Sequence, residues 1–338
     1  MAIPKRPPTI SDVASKAGVS IATVSRVLSG KAPVAISTAE RVRAVIEELE
    51  FVPRAAARGL ASHRTHTLGL LLPEIGRDFF LPLLRGIERE ARRLGYDLLI
   101  QTTEMPDTAQ ASLGGLGEHN TDGLIIFTDS VEDAALSRLS EDGFPVVLLH
   151  QTPPKGAQIP VITVENKSGA QRLVDHLIEV HGCRRIAFLR GPDGNEDSEW
   201  RERGYRQALA NHGIAFDPKM VADGSYDENE AQAAVQQWLM DGLEMDAIFA
   251  GDDDAAMGVL AALRGAGKRV PEDVAVVGFD DVAVSRHLTP PLTTVQSPIE
   301  QVGREAVLQL VKCIHNEAID PIVLLRTELV IRESCGCP

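Results

Sequence analysis

The stretch TISDVASKAGVSIATVSRVLSG, Thr9 to Gly30, holds two short amphipathic runs separated by a glycine. Thr9-Ile10-Ser11-Asp12 has the spacing of a capping box, in which the Thr hydroxyl and the Asp carboxylate satisfy free N–H groups at a helix start. Ile10, Val13, Ala14 and Ala17 follow at helical spacing, and Gly18 supplies the left-handed residue that ends a helix. Ser20 caps a second helix from Ile21 to about Leu28. A helix, a tight glycine turn and a helix make a helix-turn-helix, whose second helix enters the DNA major groove. Val24, Val27 and Leu28 form the face to be buried. On the other face Ser20, Thr23 and Ser25 suit phosphate hydrogen bonds, which position without reading sequence. Ile21, Ala22 and Arg26 face base edges, with Arg26 suited to guanine O6 and N7 and the apolar pair to thymine methyls. A third helix is expected behind a second capping box, Ser37-Thr38-Ala39-Glu40, burying Val42, Val45, Ile46 and Leu49. Spacing alone leaves open a plain helical hairpin with solvated polar residues.

Charge divides the chain in the same place. It carries 34 basic and 48 acidic side chains, of which the first 64 residues hold ten and five, leaving 24 and 43 for the rest. A basic head on an acidic body is the asymmetry of an appended nucleic-acid module. At 338 residues, with 44% hydrophobic and 24% charged residues, the chain is long enough for two or three domains with full cores. No apolar run approaches the roughly 18 residues of a membrane span, and MAIPKRPPTI lacks the apolar stretch of a secretory signal. The expected location is the cytoplasm, at the nucleoid. Four cysteines, Cys183, Cys313, Cys335 and Cys337, are too few for a disulfide framework and suit a reducing compartment.

Between head and body, Pro53 fits the first position of a helix, and Arg54 to Leu60 allows two turns, too short to be stable alone in water. A flexible linker is the alternative. From Leu68 short β-branched or leucine runs alternate with amphipathic helices. Expected strands are LGLLLP, DLLIQT, GLIIF, PVVLLH, VITV, RIAFLR, AIFAG and VAVVGF, with helices such as 79–94 and 165–180 between them. Such alternation predicts an α/β body of two doubly wound parallel-sheet lobes with a cleft between them. Ligands in such sheets bind beyond the carboxyl ends of the strands. Glu74, His150, Asp252, Asp253, Asp280 and Asp281 stand there, and Arg201 lies near the start of a helix after RIAFLR. Carboxylates and Arg suit vicinal hydroxyls, and a flat aromatic suits a pyranose face. Asp253 and Asp281 are read as caps of the following helices.

Enzyme patterns fail one by one, and no cofactor or metal is expected. RGAGKRV resembles the end of a phosphate loop, but Ala262 replaces its first glycine and Arg269 the residue that would meet magnesium. CGC at 335–337 lacks a second Cys or His pair at zinc spacing, and His63 with His66 has no acid partner. Asp252 to Asp254 are expected to point in different directions, which argues against a cation site, and no nucleophile with a paired base is recognisable.

TISDVASKAGVSIATVSRVLSG, followed by VRAVIEELEFVPRAAARGLASHRTHTLGLLLPE, resembles the N-terminal signature of the LacI/GalR family of bacterial transcription regulators. The likeness continues through DGLII, RRIAFLRGP, RERGYRQAL, DAIFAGDDDAAMGVLAALRGAGKRVPEDVAVVGFDD, LTPPLTTV and ELVIRES, over essentially the whole chain. It implies a head at 1–50, a hinge at 51–66 and a body at 67–334 similar to periplasmic sugar-binding proteins. The lobes would comprise 67–162 with 295–322, and 163–294 with 323–334. It also implies a homodimer, with a tetramer as the alternative, on a near-palindromic double-stranded operator. The hinge would fold on DNA, with Arg54 and Ala57 facing the duplex and Leu60 wedged into the minor groove. Arg54 departs from the family's common Asn, and Gly59 weakens a helix by about 1 kcal/mol relative to Ala. Arg201, Asp252 and Asp280 match effector-contacting positions, and Tyr226 with Phe79 or Phe80 matches aromatic stacking positions. Asp is common in the family at the place of His150, and Asn at the place of Asp252. Carboxylates facing the single cation Arg201 favour a neutral sugar-like effector over a phosphate or acid. A purine is the alternative, disfavoured by Asn195 and Asp197 where purine binders use basic and hydroxyl residues. An exported sugar receptor of similar body would not carry the basic head.

Overall fold

The computed structural model describes residues 8–29, 33–51, 64–103, 115–128 and 130–338. Contacts divide the chain into two compact units, residues 1–65 and 66–338.

In the first unit α1 spans Ile10–Ala17, α2 Ile21–Ser29 and α3 Ile36–Glu48. The capping box of α1 is formed on both sides: Thr9 Oγ1 accepts from the Asp12 N–H, and Asp12 Oδ2 accepts from the Thr9 N–H at 2.8 Å. Gly18 takes φ 65°, a conformation open to glycine at no steric cost. Ser20 Oγ accepts from the Thr23 N–H at 3.2 Å and so caps α2. The expected second capping box does not form. Helix α3 begins two residues earlier, with Ala35 in place of Ser37 at the cap position and no side-chain cap, so Ser37 and Glu40 already lie inside the helix. Val13, Ala14, Ala17, Val24, Val42, Val45 and Phe51 make the small core, with Val27, Leu28, Ile46 and Leu49 packed around it.

The second unit holds two six-stranded sheets. The first contains β1 (Thr67–Leu72), β2 (Asp97–Thr102), β3 (Gly123–Phe127), β4 (Val146–Leu149), β5 (Val161–Val164) and β11 (Ile322–Leu325), in the order β11-β5-β4-β3-β1-β2. The second contains β6 (Ile186–Arg190), β7 (Val221–Asp223), β8 (Ala247–Ala250), β9 (Ala275–Asp280), β10 (Thr293–Gln296) and β12 (Glu328–Val330), in the order β12-β10-β9-β8-β6-β7. All eight expected strands are present. The four that were not read, β7, β10, β11 and β12, are three or four residues long. All pairings are parallel except β10 with β12, so the second lobe has an antiparallel edge. Each sheet is covered on both faces by apolar clusters, which is why the inner strands are continuously buried. The chain crosses between lobes after β5, β10 and β11. Ladder hydrogen bonding carries these strands to Val164, Gln296 and Leu325, two or three residues beyond the expected lobe boundaries.

Candidate functional site

Helix α2 presents Ser20, Ala22 and Arg26 exposed and Ile21 at 51% exposure, while Val24 is fully buried. A half-exposed isoleucine beside an arginine on an otherwise packed helix suits contact with base edges. Thr23 and Ser25 are half-buried. Ser20 Oγ also lies 2.9 Å from Thr23 Oγ1, so both hydroxyls already serve the helix start. Arg54, Ala57 and Leu60 lie outside the described residues.

In the body the strand ends converge on Arg201, 3% exposed, in the helix Glu196–Asn211. Its Nη1 and Nη2 donate to the two oxygens of Asp280 at 3.3 and 3.1 Å, Nη1 also to the Gly251 carbonyl at 2.7 Å, and Nε to Asn166 Oδ1 at 2.9 Å. The guanidinium stacks on Phe279 at 3.9 Å and lies 5.5 Å from the Tyr226 ring. A fixed fork held from four directions is a preorganised element. Asp280 further accepts from Ser297 Oγ at 2.9 Å.

Among the described residues, side chains of the two lobes meet across the cleft at several places. His150 Nδ1 lies 2.8 Å from Asp197 Oδ2. Thr152 donates from N and Oγ1 to Glu196, each at 2.8 Å. Arg77, in the loop after β1, pairs with Asp254 at 3.1 Å and Asp252 at 3.6 Å, and with Glu74 in its own lobe at 3.4 Å. Arg77 is therefore a second cation, which the sequence reading missed. Its signal was its place in the loop after β1, one helical turn's spacing beyond Glu74.

Burial pushes Asp252 up to about 7, with Asp254 adding to the rise and Arg77 opposing it. Asp254 is raised by burial too, and Arg77 opposes that rise. Burial also works to raise Asp197, but His150, Arg201 and the Asn166 amide outweigh it and hold it below the usual Asp range. A raised folded pKa gives stability that is complete below the unfolded value near 3.9 and is lost as pH climbs through the folded one. Thermal melts should therefore show the body losing stability between about pH 4 and 7, and Asp252→Asn should flatten that slope. An unaltered slope in the variant would show that Asp252 is not the titrating group.

Several positions differ from expectation. Asp252, not Asp253, caps the helix Asp253–Gly265, accepting from the Ala255 N–H at 2.7 Å. Asp253 is turned inward and holds Val282, Ser285 and Thr294. Asp281 caps nothing, but pairs with Arg332 at 2.5 Å and Gln296 at 2.9 Å. Phe80 is a core residue, 3% exposed, because its ring packs on Phe127, while half-buried Phe79 remains beside the cleft. A cavity of about 460 Å³ touches Phe79 and Asp280, and another of about 300 Å³ touches His150, Asp197 and Trp200. Trp200 is an aromatic that the sequence reading did not single out. Buried polar atoms without a protein partner include Ser130 Oγ, His150 Nε2, Gln151 Oε1, Arg190 Nε and Tyr226 Oη. All five lie at or just beyond the carboxyl ends of β3, β4, β6 and β7.

The expectation of no partner for the CGC motif is overturned. His176 and His181, remote in sequence, bring their ring nitrogens to Cys335 and Cys337.

A helix-turn-helix head with a two-lobed body of this topology defines a transcriptional regulator with a periplasmic-binding-protein-like body. Residues 9–54 match the bacterial regulatory proteins, lacI family, and residues 174–335 match the periplasmic binding protein-like domain. The chain is 34% identical over 339 residues to the HTH-type transcriptional regulator CelR of Thermobifida fusca, covering 98% of this chain and 99% of that protein. It is 34% identical to the ribose operon repressor of Halalkalibacterium halodurans, covering 96% of each. Among solved structures, a Lac repressor dimer bound to operator and the anti-inducer ONPF superposes with TM-score 0.86 at 26% identity, covering 98% of this chain and 99% of that one. A CelR–cellobiose complex superposes with TM-score 0.72 at 33% identity, covering 97% and 99%. The chain belongs to the LacI family of DNA-binding transcriptional regulators. These relatives are regulators, not enzymes, and no helix among the described residues is long and apolar enough to cross a membrane.

Proposed function

We propose that the protein is a repressor that binds a near-palindromic operator as a homodimer and is controlled by a neutral, sugar-like effector held between the lobes of the body. The observation that carries the effector reading is the set of buried, unpartnered polar atoms at the carboxyl ends of the strands, of which Tyr226 lies 5.5 Å from the Arg201 guanidinium and His150 shares Asp197 with it. Buried polar groups are normally satisfied, and such a cluster suits a ligand rich in hydroxyls. Arg201, Asp280, Asp252, Glu74, His150 and Tyr226 are the proposed polar contacts, with Phe79 as apolar wall. The two cations at the strand ends are already matched by carboxylates, Arg201 by Asp280 and Arg77 by Glu74, Asp252 and Asp254, and the other cations lining the cavities, Arg85, Arg286 and Lys167, are exposed, so an anion buried at the strand ends would meet no unmatched buried charge. The sugar class is also supported by relatives named for ribose control and for a complex with cellobiose. Calorimetry on the full chain, comparing cellobiose and ribose with phosphorylated sugars, tests the reading: a free sugar should bind tighter, and preference for the phosphate would overturn it.

On the DNA side, Arg26→Ala should cost about 1 to 3 kcal/mol of operator affinity and relax one position in each half-site. A loss equal across all sequences, with a shallower salt dependence, would instead make Arg26 a phosphate contact. Closure of the lobes by effector shifts a population between two spacings of the paired heads, and so changes DNA affinity without a chemical step.

A further inference from the structure

We propose that His176, His181, Cys335 and Cys337 form a structural zinc site in the second lobe. Their donor atoms all lie within 4.8 Å of one another. Cys335 Sγ is 3.6 Å from His176 Nε2, and Cys337 Sγ is 3.7 Å from His176 Nε2 and 3.4 Å from His181 Nε2. A tetrahedral zinc with bonds of about 2.3 Å to sulfur and 2.0–2.1 Å to nitrogen holds S and N about 3.6 Å apart. The four groups thus stand at the spacing of a Cys2His2 cage, and each histidine offers the same ring nitrogen.

The local backbone is arranged for this convergence. His176 lies in the last turn of the helix Asn166–Glu179, and Gly182, at φ 68°, turns the chain just after His181. Gly336 takes φ 105° between the two cysteines. A side chain there would be strained, and its Cβ would stand 3.2 Å from the His181 ring. Thr293 Oγ1 lies 3.1 Å from Cys335 Sγ and 2.9 Å from the Arg332 carbonyl, so its one proton is within reach of the sulfur, as an outer hydrogen bond to a thiolate ligand requires. Two thiolates and two neutral imidazoles around Zn²⁺ carry no net charge, so the half-buried site needs no counter-ion. With four protein ligands it has no open position and is structural, not catalytic. Soft sulfur with imidazole selects zinc over magnesium or calcium. The site would clip the segment after β12 to the end of a helix more than 150 residues earlier, on the rim of the core that already contains Cys335.

The test uses the untagged full chain purified under reducing conditions. Metal analysis should find about one zinc per chain, and Co²⁺ added to chelator-stripped protein should give the visible bands of a tetrahedral thiolate–imidazole site. Zinc should raise the melting temperature of the stripped chain. Cys337→Ser and His181→Gln, both at half-buried positions, should keep the stripped chain's melting temperature and lose the zinc-dependent rise. Their zinc affinity should fall by more than the roughly 10- to 100-fold typical of losing an outer-shell partner. Absence of zinc and of cobalt bands in the parent would overturn the site. So would equal metal uptake by parent and variants, or a Cys335–Cys337 disulfide in the reduced preparation.

Discussion

Asp280→Ala is expected to destabilise the body by about 3–5 kcal/mol, the cost of leaving a buried charge without its partner. Arg201 is almost wholly enclosed, its two terminal nitrogens both point at Asp280, and burial alone would lower its pKa. The Asp280 charge, then Tyr226, Asp197 and Asp252, more than reverse that and keep the guanidinium charged. Ser297 would lose its acceptor in the same variant. Replacing both partners, Arg201→Met with Asp280→Leu, should recover much of the stability, because an apolar pair of similar volume carries no desolvation cost. It should not recover effector binding if Arg201 is the contact proposed above, since its guanidinium fork is gone. Denaturant unfolding of the two variants, with calorimetry on the double one, separates these roles. A single variant within about 1 kcal/mol of the parent would show that water reaches Arg201.

The second large effect is expected inside the same lobe. Asp253 is fully buried, and its carboxyl accepts from the Val282 N–H at 3.0 Å and from the hydroxyls of Ser285 and Thr294, each at 2.6 Å. It thereby ties the start of one helix to β10 and to the turn after β9, the strand that ends in Asp280. Asp253→Ala would orphan three donors at about 1–3 kcal/mol each, so a loss of about 3 kcal/mol or more is expected. Asp253→Asn keeps an acceptor oxygen and the shape, and should cost less. Burial raises this carboxyl well above the usual Asp range, against the pull of Ser285 and Thr294. Its contribution therefore fades as pH rises, in the same sense as that of Asp252, and the penalty of Asp253→Ala should be greatest in acid. Equal penalties for Ala and Asn at all pH values would mean that shape alone matters at this position.

How much of this was legible in advance follows the range of the forces involved. The head could be read from residues 9–30 because a capping box, a left-handed glycine and a helical apolar stripe act between residues a few positions apart. Long buried strands such as β1 and β3 announce themselves as continuous apolar runs, since both faces of a parallel sheet are covered. The topology rule for strand ends then pointed to Glu74, His150, Asp252, Asp253, Asp280 and Asp281, and the family resemblance to Arg201, Asp252 and Asp280. Short strands such as β12 carry too few residues to show a period, and exist because a neighbouring ladder is there to pair with. Adjacent aspartates at 252 and 253 look alike in sequence; only packing decides that one caps a helix and the other is locked among hydroxyls. The same holds for Phe79 and Phe80, where the sheet beneath claims one ring for the core. Arg77 meets Asp254 across 177 positions, and Cys335 meets His176 across 159. Such pairings have no local energy to betray them, because the chain between must fold before either partner feels the other.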